Sequence, residues 1–270
     1  MIQRRLIPTY IFLTIVSFIS VFPLYWMISA ATNTSTEVSR GKLLPGTHFM
    51  ENFNNLVSQQ PLWRSLGNSF LYAILTTVIC LLICSIAGYG FEVYHDKGKD
   101  RLFSILLLAM MVPQVATMVP LFQMFTKAKL LNTAIGFMLP MISTPFMIMM
   151  FRQNARAFPI DIIEAARIDG LSEVMIFFRM FIPTMKSTYA AAAVITFMNA
   201  WNAYLWPKVI MSDNRAMTMP MLIANLITGY VTDYGMLMCG VLFCSIPTII
   251  VFFVLQKQFT EGITGAENNG

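Results

Sequence analysis

Two histidines and four cysteines are the residues whose types could most readily do chemistry. His48 and His95 stand in polar connections, whereas Cys80, Cys84, Cys239 and Cys244 all fall inside apolar runs. A zinc or soft-metal site needs His, Cys or carboxylate ligands at short, repeated spacings, and none of these residues has such neighbours. The cysteines therefore read as small apolar thiols. Hydrolysis inside a membrane would need paired aspartates, a His-Glu-x-x-His helix or a nucleophile beside its base, and the sequence spells none of them. Gly41-Lys42 and Gly98-Lys99 lack the upstream glycine and the following hydroxyl of a phosphate-cradling loop. The expectation is a chain with no catalytic residue, no metal and no cofactor of its own. If it uses ATP, a partner must bind it.

One polar stretch, residues 152–186, is too patterned to be a slack connection. Pro159 suits a first helical turn and Asp161 to Asp169 suits a short helix that Gly170 ends, because glycine takes a left-handed cap without penalty. Ser172 and Glu173 start a second short helix through Val174, Phe177 and Phe178, stopping before Pro183. Small Ala165 and Ala166 would let another protein approach closely, with Glu164, Arg167 and Asp169 fixing its orientation. An amphipathic hairpin lying on the lipid surface, with Arg167, Arg179 and Lys186 among the headgroups, fits the same residues.

The elements that must position this stretch come from composition. Of 270 residues, 57% are hydrophobic and 11% charged, and the mean hydropathy is +0.66; an ordinary soluble domain carries roughly 25% charged residues. A polytopic, all-α membrane protein follows. Six stretches, about 9–31, 68–91, 102–125, 134–151, 188–206 and 234–255, contain no Lys, Arg, Asp or Glu. Each reads as a span of one transmembrane domain covering 1–270. Pro113 and Pro120 kink the third, and Pro140 and Pro145 the fourth. The first apolar run is longer than a signal-peptide core of about 7–15 residues, so it reads as an uncleaved span. Most of the 18 Lys and Arg, among them Arg4, Arg5, Lys97, Lys99, Arg101, Arg152 and Arg156, fall on one side if both termini are cytoplasmic. The net charge of +5 forms no basic stripe, so no nucleic-acid partner is expected.

No ionisable residue stands inside a span, which argues against an ion-coupled carrier. Near the outer end of the fifth span Asn199, Trp201, Asn202 and Tyr204 cluster, with Gln114 and Gln123 in the third. Aromatic faces and amides suit sugar hydroxyls; the same residue types also bind neighbouring helices and form interfacial belts. Residues 217–228, with apolar positions around Pro220, suit a short helix that contacts either an external protein or its own bundle.

Glu164-Ala165-Ala166, Asp169-Gly170 and Ile182-Pro183 resemble the cytoplasmic EAA loop of the permease subunits of binding-protein-dependent ABC importers. The extended form from Pro159 to Gly170 resembles the carbohydrate branch, in particular the shorter maltose-type subunit. Met180 stands where that family usually has Ile, and Ile182 where it usually has Leu. The likeness continues at Asn68-Ser69, from Pro120 to Thr133, at Trp201-Asn202 and at Gly262 to Ala266. It implies six spans around a cytoplasmic coupling loop, in which Glu164, Ala165, Ala166, Arg167, Asp169, Gly170 and Pro183 transmit force from ATPase subunits. It further implies two ATPase subunits that hold ATP and Mg2+, a second and different permease, and an extracytoplasmic solute-binding protein. The setting would be a bacterial or archaeal cell (inner) membrane. Residues 259–266 would reach the ATPase pair, although Glu267 replaces a basic residue common there. The tail 267–270 is expected to be disordered. Import of a sugar or oligosaccharide is the expectation; another solute would share the loop, and a carrier or channel would work without ATP.

Overall fold

The computed structural model describes residues 2–228 and 232–264, and every regular element among them is a helix. The chain forms two compact units, residues 1–64 with 221–247 and residues 65–220 with 248–270.

The first unit contains the helix Ile2–Ala31, with Pro8 and Pro23 inside it. Residues 7–25 are exposed although most are large and apolar, the pattern of a helix whose solvent is lipid or another chain. Beyond it Thr34 and Glu37 cap each other at the start of Ser35–Ser39, which satisfies two orphan backbone donors. Asn52, on the helix Phe49–Gln59, donates to the carbonyls of Ala31 and Asn33, both at 2.9 Å, and so pins the exit of the first helix. Phe53, Trp63 and Phe243 close the unit with ring contacts of 5.5–6.4 Å. The segment around Met219–Ile227 is a helix with Met219 and Leu222 fully buried, so it packs on its own chain.

The second unit holds the continuation of Leu62–Val93, a helix that begins six residues before the expected span. Asn68 and Ser69 therefore do not open it. They tie it instead to 215–219: Asn68 donates to the carbonyls of Arg215 and Met217, and Ser69 Oγ accepts from the Met219 N–H at 2.8 Å.

Three of the six expected spans are not continuous helices. Residues 102–125 form two helices, Lys97–Ala109 and Gln114–Lys127, bent by 99° across the break before Pro113. Pro113 offers no N–H and pushes Val112 out of helical geometry, which breaks the span where only a kink was expected. Residues 134–151 divide into Ala134–Met138 and Pro145–Ala155; Thr144 caps the latter by accepting from Met147 N, with Pro145 in its first turn. Residues 188–206 divide into Lys186–Trp201 and Leu205–Ile210. By length and composition three helices can cross a membrane, or four if the bent pair counts as one.

Asn132, at φ 59°, holds this irregular region together. Its Oδ1 accepts from the N–H groups of Ser212 and Asp213 at 2.8 and 2.9 Å, and its own N–H donates to Ile210 O.

Candidate functional site

The patterned stretch begins with the helix Ile160–Ile168, whose first turn carries Asp161 where the helix dipole favours an anion. Ile163 and Ala166 turn inward, onto a buried cluster with Phe158, Ile176, Phe177 and Phe181 that also includes Tyr89 of Leu62–Val93. Ala166 is therefore part of the core and not of an open docking surface; its small side chain lets this helix lie close on its own unit. The outward face carries Glu164, Ala165, Arg167 and Asp169, together with Ile168, which is 85% exposed.

Gly170 has φ +79°, and no side chain surrounds the place its Cβ would occupy. Its N–H donates to Arg167 O and the next N–H, of Leu171, to Ala166 O, both at 3.0 Å. These two bonds close the helix in the Schellman manner, with Leu171 packed against the same cluster. The backbone, not crowding, is what demands glycine here.

Glu173 ties the turn. It accepts from Arg167 Nε at 2.7 Å and Nη2 at 3.2 Å, and from the Tyr94 hydroxyl just beyond Leu62–Val93. The Arg167 bonds and then the Tyr94 bond hold the Glu173 carboxyl below its ordinary value, and the Glu173 bond raises the Arg167 guanidinium.

The second helix differs from expectation. Ser172 caps it by accepting from Met175 N, but α-helical geometry lasts only over Glu173–Ile176 before a wider π-helical turn, Phe177–Phe181. Pro183 does not stop the helix: it lies within Ile182–Thr184, and the bend comes at Met185. A proline has no N–H to give to the preceding turn, and the wider register upstream accommodates that loss.

Sequence reasoning missed the anchor of this stretch. Arg152, read there as one more cytoplasmic charge, is 5% exposed. Its guanidinium bonds Glu92 at 3.1 Å and Asp100 at 2.6 Å and lies 4.3 Å over the Phe103 ring. It thereby fastens the end of Pro145–Ala155 to the two helices before it. Gly88 permits that approach, since a Cβ there would fall 2.6 Å from Phe151 Cβ and 2.8 Å from Arg152 N. The only sequence signal was charge at the edges of three apolar stretches.

Four of the five pathway candidates meet. Gln114, Asn199, Asn202 and Tyr204 line one cavity of about 770 Å³ within the second unit. Trp201 does not: it is buried, stacked on Phe197 at 5.8 Å and edge-on to Phe70 at 4.9 Å, because its helical position points it into the unit. Gln123 is also absent from the lining, whereas Thr76 and Trp206, not singled out from sequence, belong to it. The four cysteines are free, and no group of three potential metal ligands occurs among the described residues.

An all-helical chain with apolar helices of membrane-crossing length, a structured polar loop and an uncharged polar cavity is a membrane translocation component in outline. Residues 85–265 match the family model described as the binding-protein-dependent transport system inner membrane component, and the chain belongs to that family. It is 42% identical over 267 residues to the lactose transport system permease protein LacG of Rhizobium radiobacter, covering 98% of both chains. It is 37% identical to the arabinooligosaccharides transport system permease protein AraQ of Halalkalibacterium halodurans, covering 92% of this chain and 91% of that one. Identity to the sn-glycerol-3-phosphate transport system permease protein UgpE of Escherichia coli is 30%, with 91% of each covered. Among solved structures, a bacterial ABC transporter involved in the import of the acidic polysaccharide alginate matches with a TM-score of 0.84 at 20% identity, over 94% of this chain and 96% of that one.

Proposed function

We propose that the chain is a permease subunit of an ATP-driven importer for a sugar or oligosaccharide, working beside a second, different permease. Two ATPase subunits, which hold ATP and Mg2+, dock on residues 152–186, and an extracytoplasmic binding protein delivers the solute. The chain itself hydrolyses nothing. In this reading the broken helices complete six crossings, the 152–186 stretch and both termini are cytoplasmic, and the protein sits in a bacterial or archaeal cell (inner) membrane. The observation that carries the reading is the 42% identity to a lactose permease along the whole chain. The exposed face of Ile160–Ile168, closed by Gly170, supports it as a docking element.

Movement of the ATPase pair is transmitted as a rigid shift of the loop. Glu164, Ala165, Arg167 and Asp169 present the contact face, and Ala166, Gly170 and Pro183 hold the geometry behind it. Such a shift favours an inward- or outward-facing state only if the docked contacts differ between the two. The tail 259–266 is proposed as a further ATPase contact; Gly265 and Ala266 lie outside the described residues, as does the tail 267–270. Relatedness to UgpE at 30% identity keeps a second reading, an importer for a phosphorylated polyol.

The test is a mild-detergent purification of the tagged chain from its host, with Glu164→Lys and Gly170→Val as the comparison. The expected result is a co-purifying ATPase and second permease from wild type, with the ATPase lost from the double variant. A pure, folded chain without any ATPase, under conditions that keep other membrane complexes whole, would overturn the reading.

A further inference from the structure

We propose that the cavity of the second unit is a subsite for an uncharged polyhydroxyl solute, a sugar without carboxylate or phosphate, contacted by this subunit's own Thr76, Gln114, Asn199 and Asn202. The inference rests on the permease reading above and adds to it a site and the chemistry of its occupant.

The cavity, about 770 Å³, has the size of a small-molecule site. Its walls combine amides and hydroxyls with apolar side chains such as Met118 and Leu121, and no Asp, Glu, Lys, Arg or His is among its lining residues. An anion entering it would leave water without meeting a counter-charge. Neutral hydroxyls can exchange hydrogen bonds to water for bonds to the wall one for one. The lining thus selects against the phosphate and uronate classes and for the neutral class.

Thr76 is the second observation. Four threonines line the cavity. Thr117 donates to Gln114 O at 2.8 Å, Thr144 accepts from Met147 N at 3.4 Å and Thr196 reaches Cys80 Sγ at 3.9 Å. Thr76 is 0% exposed, and its hydroxyl has no hydrogen-bond partner among the described residues. Its neighbour Thr77 makes the ordinary helical choice and donates to the carbonyl four residues back, Ala73, at 2.7 Å. Thr76 leaves that option unused at the wall of a polar cavity, and a buried hydroxyl is seldom left so. Opposite, Asn202 gives its amide nitrogen to Met198 O at 3.0 Å, which leaves its oxygen free to accept from a solute. Tyr204, also on the lining, offers a ring face for the apolar side of a sugar.

Thr76→Val separates a binding role from a packing role. The two side chains are nearly isosteric, and removing a hydroxyl that has no internal partner leaves the fold as stable as before or more so. If Thr76 only packs, the variant transports normally. If it holds solute, transport falls while the fold does not.

The experiment measures ATP-dependent uptake of radiolabelled lactose in cells carrying the complete transport system, with digalacturonate and glycerol 3-phosphate as anionic competitors. Wild type is compared with Thr76→Val, Thr76→Ser and Gln114→Leu, and the amount and melting temperature of each purified complex are recorded. The expected result is a drop in maximal uptake of roughly tenfold for Thr76→Val, the size of one lost hydrogen bond to solute. Melting temperature should be unchanged or higher, Thr76→Ser should restore uptake, and the anions should compete less than a tenth as well as a neutral disaccharide. Uptake by Thr76→Val and Gln114→Leu within twofold of wild type would overturn the subsite while leaving the permease reading intact. Equal competition by the anions would overturn the neutral class. ATP-independent uptake by wild type would overturn the permease reading itself and the subsite with it.

Discussion

The loop 152–186 and the cavity belong to one unit of the chain but are built on opposite principles. The loop is full of charge and all of its fixed points are internally satisfied: Arg167 on Glu173, Arg152 on Glu92 and Asp100, and the end of Ile160–Ile168 on Gly170. The cavity wall carries no charge, and one of its buried hydroxyls is unpaired. An element that must move as a body needs its internal bonds complete before anything docks. A passage for solute needs bonds left over. Substitutions in the two regions should therefore fail in different ways: loop changes should disturb rigidity or docking, and cavity changes should slow transport in a sound fold.

The largest expected effect is at Gly170. Valine there must adopt φ near +79°, a region costly for any side chain and worst for a β-branched one, at about 3 kcal/mol. The helix end then rearranges, and with it the outward face. Uptake should fall by more than tenfold while the chain still reaches the membrane, whereas Gly170→Asn, which tolerates the left-handed region, should retain most of it. Equal uptake from the valine and asparagine forms would show that the cap's geometry does not matter to transport.

Next comes Arg152→Ala, which strands Glu92, itself only 23% exposed in its side chain, and opens the junction at Gly88. A fully buried partner would cost more; with Asp100 at 42% side-chain exposure the loss should be about 2 kcal/mol. Thermal unfolding of the purified chain should register it as a lower melting temperature, with Arg152→Lys falling between, since an ammonium cannot replace the two-pronged contact. A melting temperature equal to wild type would mean that the junction is held by packing alone.

Ile168 tests the docking face separately from the scaffold. At 85% exposure it contributes almost nothing to the chain's own core, so Ile168→Ser should leave the melting temperature within a degree or so. If an ATPase covers it, association should weaken by about 1 kcal/mol, roughly fivefold, in a binding titration with the purified ATPase. Unchanged affinity would place the contact on the acidic positions Glu164 and Asp169 instead.

The two regions were not equally legible in the sequence. Pro159, the run to Asp169 and Gly170 write the loop in consecutive residues, so the helix and its left-handed end could be read directly. The inward turn of Ala166 could not, because it depends on Tyr89, Phe158 and Phe181 arriving from elsewhere. The cavity is assembled from five separated segments. Polar residue types picked out Gln114, Asn199, Asn202 and Tyr204, but type alone could not tell that Trp201 faces the core while Thr76 faces the cavity. The spans show the same limit. Apolarity identified the material of all six, yet the 99° break before Pro113 and the interruptions at 139–144 and 202–204 depend on how prolines and caps are met by neighbouring segments. Arg152 was hidden for the same reason: its partners lie 52 and 60 positions away.

The smallest expected effect is a pH dependence confined to the loop. Arg167 and then Tyr94 lower the Glu173 carboxyl below its ordinary 4.5 in the folded chain. A group depressed in this way contributes its stabilisation in full above the ordinary value and loses it as pH falls through the depressed one. The Arg167 charge is constant over that range, so only Glu173 titrates within the pair. All three side chains are solvent-accessible, which makes the contribution small. Amide exchange over 160–176 should therefore be flat from pH 8 to about 5 once corrected for intrinsic rates, and should rise as the solution becomes more acid. Glu173→Gln should show the raised exchange at every pH and no acid step of its own. Segments bordering the cavity, where no lining residue titrates, should show neither change. An acid step that persists in Glu173→Gln would move the origin to another carboxylate, with Asp96, held at about 2 first by its Lys99 bonds, next in sequence to Tyr94.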